Sequence, residues 1–294
     1  MTTTRPEIPA QAWPLFDRYV HGDLSRRGFL EQAATFTGGP AGAAALLAAL
    51  SPNFAAAQQV KPDDARLVTR RQAFPSPDGN GQVQGYLVKP AGASGKLPAV
   101  LVVHENRGLN PHIEDIARRV ALAGYVAYAP DALAPLGGYP GNEDDARALF
   151  AKLDPAKARA DIVAGARGLL TVADANGKLG VVGFCWGGSL ANHVATQVPE
   201  LAVAVPFYGG APAAEDVPRI KARVLVHHAA NDERINAAWP AYEAALKAAG
   251  VRYEQHSYAG TQHGFNNDTT PRYDAAAAQL AWERTLAAFK ATLG

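Results

Sequence analysis

Leu179-Gly180-Val181-Val182-Gly183-Phe184-Cys185-Trp186-Gly187-Gly188 decides how the rest of the chain folds. An apolar, β-branched run passes through one sharp turn into a glycine-rich helix start. The pattern is G-x-S-x-G with cysteine in the serine position, in the strand–turn–helix setting that a nucleophile elbow requires. The residue at the tip takes a strained backbone, and glycines on either side let strand and helix approach closely. The turn carries the sulfur to the end of a sheet and the start of a helix, where the macrodipole favours thiolate. A lone cysteine is more often a small buried hydrophobe. The elbow sets this one apart.

Outward from the elbow, strand and helix patterns alternate. Strands are expected over 67–74 and 82–88, around the turn-rich Pro75–Gly81, and over 99–103, 125–129, 179–182, 202–207, 224–228 and 253–258. Helical spacing falls over 111–123, 143–153, 156–172, 188–198, 239–249 and 274–293. Such interleaving predicts an α/β fold: a mostly parallel, doubly wound sheet with helices on both faces. The irregular stretch 137–142 is a candidate lid or rim loop.

A nucleophile at an elbow needs an acid and a base later in the chain, in that order. Asp232 lies 47 residues beyond Cys185 and just past a strand; His263 follows 31 residues later, past the next. Both fall in loops at strand C-terminal ends, where open α/β sheets place their sites. His227 and His228 are neighbours in a strand and point to opposite faces, so one is core and the other near the site. His193, on the elbow helix, and His256, within a strand, are expected to be structural. For the oxyanion hole, the N–H of Trp186 is expected to pair with one from the loop His104–Leu109. Glu105 in that loop either accepts the thiol proton or pairs with Arg107 or Arg118 at the surface. Trp186, Phe207, Tyr208 and Phe265, with Arg107, are candidate pocket residues. No histidine or carboxylate spacing suggests a metal, and no cofactor is expected.

Composition removes other classes. The chain has 294 residues, 48% hydrophobic and 19% charged, with a net charge of +1. That is globular, without the basic footprint of a nucleic-acid or anionic-membrane binder. One cysteine excludes a disulfide framework.

Residues 1–57 read differently. Ser25-Arg26-Arg27-Gly28-Phe29-Leu30 is a twin-arginine pattern, followed by an uncharged, alanine-rich stretch ending in Ala55-Ala56-Ala57. This segment is expected to stand apart from the fold as a twin-arginine-type export signal, read by the export machinery and cut after Ala57. Residues 58–294 would then be a single domain in the periplasm or medium, or in the cytoplasm if the leader does not act. Gly38-Gly39-Pro40 argues against a spanning helix, so no stable membrane anchor is expected. Glu31 and the long stretch before the arginines depart from the usual pattern.

From about Gln82 to Leu293 the chain resembles the dienelactone hydrolase (carboxymethylenebutenolidase) family of α/β-hydrolases. The resemblance rests on His104-Glu105-x-x-Gly108-Leu109, Gly183-Phe184-Cys185-Trp186-Gly187-Gly188, Asp232 and His263-Gly264-Phe265. It implies Cys185, Asp232 and His263 as a catalytic triad. It also implies Glu105 as a carboxylate that hydrogen-bonds or deprotonates the thiol, and the N–H groups of Asn106 and Trp186 as the oxyanion hole. The implied activity is cleavage of a lactone or small carboxylic ester through a thioester. The family archetype grips a substrate carboxylate with arginines, one of them four residues after the catalytic histidine. Here that residue is Asn267, with Arg107, Arg147, Arg234 or Arg272 as substitutes. A cysteine acyltransferase or peptidase on the same fold, or a non-catalytic binding scaffold, are the alternatives. Oligomeric state is not readable from the sequence.

Overall fold

In the computed structural model, which describes residues 8–294, eight strands form one sheet in the order β1-β2-β4-β3-β5-β6-β7-β8. The hairpin β1 (Leu67–Ser76) and β2 (Gly81–Pro90) joins antiparallel at one edge. From β4 (Val126–Pro130) through β3 (Leu97–Val103), β5 (Ala175–Phe184), β6 (Leu201–Phe207), β7 (Arg223–Asn231) and β8 (Tyr253–Gln262), pairing is parallel. All eight expected strands are present, and the doubly wound α/β expectation holds. The reason is visible in β3. Val100 and Val102 pack in one core layer, while Ala99, Leu101 and Val103 pack in the other. A strand buried on both faces needs apolar residues at every position. Helices α5 (Pro111–Leu122) and α11 (Ala275–Leu293) cover the first face; α7 (Pro155–Leu170), α8 (Trp186–Gln197) and α10 (Trp239–Ala248) cover the second.

The segment expected to stand apart is built into the molecule. Three helices, α1 (Ala12–His21), α2 (Arg26–Ala34) and α3 (Pro40–Leu50), share a core that includes Ala12, Phe16, Tyr19, Phe29, Ala33, Leu46 and Leu50. A short α4 (Phe54–Ala57) leads into the sheet. The reason lies in local sequence. Ala12, Leu15, Phe16 and Tyr19 form an apolar stripe at helical spacing, Ser25 caps α2 by accepting from the Gly28 N–H, and Pro40 opens α3 at its first turn. Residues 1–7 of the leader, with Arg5 and Glu7, lie outside the described residues. Among the described residues, no helix is long and apolar enough to cross a membrane; α3, at 11 residues, spans about 16 Å.

The segment is tied to the domain by polar contacts. The Arg26 guanidinium meets Asp144 of α6 (Glu143–Phe150) at 2.5 Å, and the Tyr19 hydroxyl donates to the same carboxylate. The Asn53 N–H donates to the Thr269 carbonyl at 2.7 Å. Val60 donates its N–H to Asp115 and accepts from Arg118, which is itself buried.

Candidate active site

Cys185 sits between β5 and α8 with φ 56° and ψ −114°. Only Cys185 and Tyr208 combine positive φ with a side chain among the described residues. A Cβ on Gly183 would lie 1.9 Å from the Gly187 oxygen, and one on Gly187 2.3 Å from the Val103 oxygen. Both glycines are thus demanded by backbone contact, which is what holds the cysteine in its strained turn. Trp186 opens α8, so its N–H is a first-turn donor without an intrahelical acceptor.

Asp232 follows β7 and His263 follows β8, both buried. Asp232 Oδ2 lies 2.5 Å from His263 Nδ1. That contact fixes the ring and leaves Nε2, which is buried with no hydrogen-bond partner. Ring nitrogens of His263 and His21 and the Cys185 sulfur all lie within 4.8 Å of one another. The fold therefore gathers Cys185, Asp232 and His263 from three strand ends.

His21, the last residue of α1, is the group sequence reasoning missed. Its Nε2 lies 3.7 Å from Cys185 Sγ, and its Nδ1 lies 3.3 Å from Asp17 Oδ1. The signal was there: an Asp-x-x-x-His pair at i, i+4 on an amphipathic stripe, which an export leader does not need.

The charges at this cluster are mutually supporting. Burial works against ionised Cys185, but the imidazoles of His263 and His21 outweigh it and bring the thiol down to about 6. Burial likewise opposes protonation of His263, and the sulfur and Asp232 reverse that, raising its pKa. His21 is raised in the same way by Asp17 and Cys185 against its own burial. Asp17 is held well below the usual carboxylate range, its burial outweighed by His21, His263 and Arg272.

The remaining predicted residues are placed as follows. Glu105 lines the cavity in front of the sulfur and accepts from Asn267 Nδ2 at 2.7 Å. Asn106 and Arg107 line the same cavity, but both side chains donate to the Val20 carbonyl at the end of α1. Tyr208 and Phe265 do not line it. They are fully buried and pack against each other, with the Tyr208 ring 4.9 Å from the His263 ring. The indole of Trp186 stacks on His104 instead. The apolar wall comes from Phe16, Tyr19, Leu47, Leu50 and Phe54 of the N-terminal helices, which enclose about 370 Å³ with Tyr139 and Asn142 of the expected rim loop. His227 hydrogen-bonds Tyr258 and Thr285 in the core, and His228 contacts Gln255.

The arginines proposed to grip a substrate carboxylate are engaged by α1. Arg107 holds the Val20 carbonyl, and Arg147 lies 4.2 Å over the Tyr19 ring. Arg234 approaches His21 Nε2 at 3.0 Å, and Arg272 lies 3.7 Å from Asp17.

The dienelactone hydrolase family profile matches residues 83–293. A carboxymethylenebutenolidase homologue of Escherichia coli is 33% identical over 244 residues, 78% of this chain and 89% of that protein. The chain belongs to the dienelactone hydrolase family. It is a hydrolase of the ester- and lactone-cleaving type. A hydrolase fragment of Escherichia coli is 60% identical over 113 residues, 38% of this chain and 97% of the fragment. A separate profile, described as YqhI-like, matches residues 2–38. A solved thermostable esterase from Pseudomonas putida aligns over 99% of both chains with a TM-score of 0.65 at 17% identity. At that identity the likeness is one of fold, and it takes in the N-terminal helices.

Proposed function

We propose that the protein cleaves a lactone or small carboxylic ester with Cys185 as nucleophile, through a thioester acyl-enzyme. The observation that carries this is the strained backbone of Cys185, at the tip of an elbow facing a cavity and an Asp232-oriented imidazole. The Cys185 sulfur attacks the substrate carbonyl, and the oxyanion is taken by the N–H groups of Asn106 and Trp186. The sulfur–carbon bond forms as the ester carbon–oxygen bond breaks, and His263 gives its Nε2 proton to the leaving oxygen. Water then loses a proton to His263 and adds to the thioester; the acid departs and the thiolate returns. Glu105, oriented by Asn267, places a carboxylate in the same cavity. A volume near 370 Å³ sits at the small end of ligand pockets and suits a small substrate.

The test is the full-length Cys185→Ala protein against a panel of lactones, esters and peptides, with intact-mass detection of the acyl-enzyme. An acyl adduct on the wild type with lactones or esters, and no turnover by Cys185→Ala, is the expected result. Turnover by that variant would overturn the nucleophile. Preference for peptides, or for transfer to an added alcohol or amine, would move the reading to a peptidase or acyltransferase. Binding without turnover by the wild type would leave a scaffold.

Export by the Ser25–Leu30 motif is proposed alongside. The motif supports an address, while the packing of residues 8–57 on the site supports a segment that stays attached. Cell fractionation with N-terminal sequencing tests both: periplasmic protein beginning upstream of Asp17 is expected. A chain beginning at Gln58 would restore the cleaved leader, and a cytoplasmic chain would remove the address.

A further inference from the structure

The N-terminal helices do more than cover the cavity. Two aspartate–histidine pairs converge on one sulfur: Asp232–His263 from the sheet, and Asp17–His21 from α1. In both, an aspartate lies at Nδ1: the Asp232 carboxylate meets His263 directly, whereas His21 hydrogen-bonds the Asp17 carbonyl at 2.8 Å with the Asp17 carboxylate 3.3 Å away as a neighbouring charge. His21 presents Nε2 to Cys185 at 3.7 Å, and His263 keeps a buried, unpartnered Nε2. The two rings meet edge to face at 5.0 Å between centroids. Nothing in the triad scheme uses His21 or Asp17.

We propose that His21 is a second catalytic imidazole, supplied by the N-terminal segment and oriented by Asp17, which holds Cys185 as a thiolate before attack and after thioester hydrolysis. This rests on Cys185 being the nucleophile. The proton released by the thiol goes to His21 Nε2, giving an imidazolium–thiolate pair; His263, which enters the cycle already protonated at Nε2, gives that proton to the leaving oxygen and recovers one from the attacking water. When water has cleaved the thioester, the sulfur leaves as thiolate beside His21, and no net proton is consumed there. The role expected of Glu105 thus passes to an imidazole, while Glu105 itself is held by Asn267.

Charged groups on every side fit this role. Asp17 faces the far nitrogen of His21, and its carboxylate is in turn flanked by Arg272 at 3.7 Å and Arg234 at 3.9 Å. Arg234 also lies 3.0 Å from His21 Nε2, where it donates while that nitrogen is unprotonated. Protonation of His21 requires the half-exposed Arg234 to release that nitrogen, and Asp17 Oδ2, 3.9 Å from its Nε, is the anion beside it. On the sulfur's other sides stand His263, Arg107, Glu105 and the buried Tyr208 hydroxyl, whose ionisation burial and the neighbouring anions suppress. Two imidazoles beside one sulfur, each with an aspartate behind it that favours its protonated form, keep that sulfur charged near neutral pH.

The experiment uses full-length wild type, His21→Gln, His21→Ala, Asp17→Asn and Cys185→Ala. It measures iodoacetamide alkylation against pH and hydrolysis of 4-nitrophenyl acetate. The wild-type thiol should titrate near pH 6. In His21→Gln the midpoint should rise by about one pH unit or more, with kcat reduced roughly ten- to hundred-fold and KM little changed. Added imidazole should restore part of the His21→Ala rate, and Asp17→Asn should shift the midpoint in the same direction by less. Should His21→Gln fail to fold, the Asp17→Asn midpoint decides: raised supports the proposal, unchanged overturns it. Wild-type midpoints and kcat in both variants would reduce the segment to a cover. Activity surviving in Cys185→Ala would instead overturn the nucleophile assignment, whatever the His21 variants show.

Discussion

The two aspartate–histidine pairs around Cys185 are built in opposite ways. Asp232 and His263 come from loops 31 residues apart in sequence, the first following the buried strand β7 and the second the edge strand β8, and both side chains are almost fully enclosed. Asp17 and His21 lie on one turn of one helix, with side chains 31% and 14% exposed. The first pair is positioned by the core of the domain; the second by three short helices with a small core of their own. Rigid placement thus belongs to the sheet, and the contribution that can be altered independently belongs to the segment.

Several changes would break or sharpen that contrast. The largest effect is expected from Gly183→Ala. The added methyl would meet the Gly187 oxygen at 1.9 Å, so the elbow cannot close and soluble, active protein should be lost; full activity would show that the turn tolerates what its geometry forbids. Next is Asp232→Asn. It should keep the fold but lower kcat by roughly 10³–10⁴-fold, since the amide no longer fixes the His263 tautomer. A loss no greater than that of Asp17→Asn would erase the distinction between the pairs.

Phe29→Ala should act on the segment alone. Removing a fully buried ring from that core costs about 3–5 kcal/mol. Amide exchange should accelerate across residues 12–50 while β3 and β5 stay protected; acceleration throughout would show that helices and sheet unfold as one unit. Least affected should be Arg26→Lys. Its ion pair with Asp144 is half-exposed and worth about 0–1 kcal/mol, so turnover in vitro should stay within about twofold.

The sequence showed the sheet clearly because burial on both faces imposes continuous apolar runs, which β3 carries over Ala99–Val103 and β5 over Leu179–Phe184. The elbow was equally legible, since backbone contact at Gly183 and Gly187 admits no other residue. Asp232 and His263 followed from chain order and strand ends. The cavity wall was less readable: Tyr208 backs the His263 ring and Phe265 packs behind Tyr208, and nothing in their spacing distinguishes that from facing a substrate. His21 was overlooked for a different cause. A twin-arginine pattern drew the whole segment into one reading, and the stripe Ala12, Leu15, Phe16, Tyr19 that would have signalled a packed helix stands ahead of it. Contact between residues 21 and 185 depends on tertiary packing, which local pattern does not encode.

The arginines give the segment a further meaning. Arg107 and Arg272 line the cavity in front of Cys185, Arg234 meets His21 beside it and Arg147 covers the Tyr19 ring, so α1 occupies all four with its own carbonyl, rings and carboxylate. Stripped of those helices, the same scaffold would be a receptor for anions. Wearing them, it holds a chamber with an apolar wall whose arginines are already partnered, so whatever frees those cations must first loosen helices that lie outside the sheet.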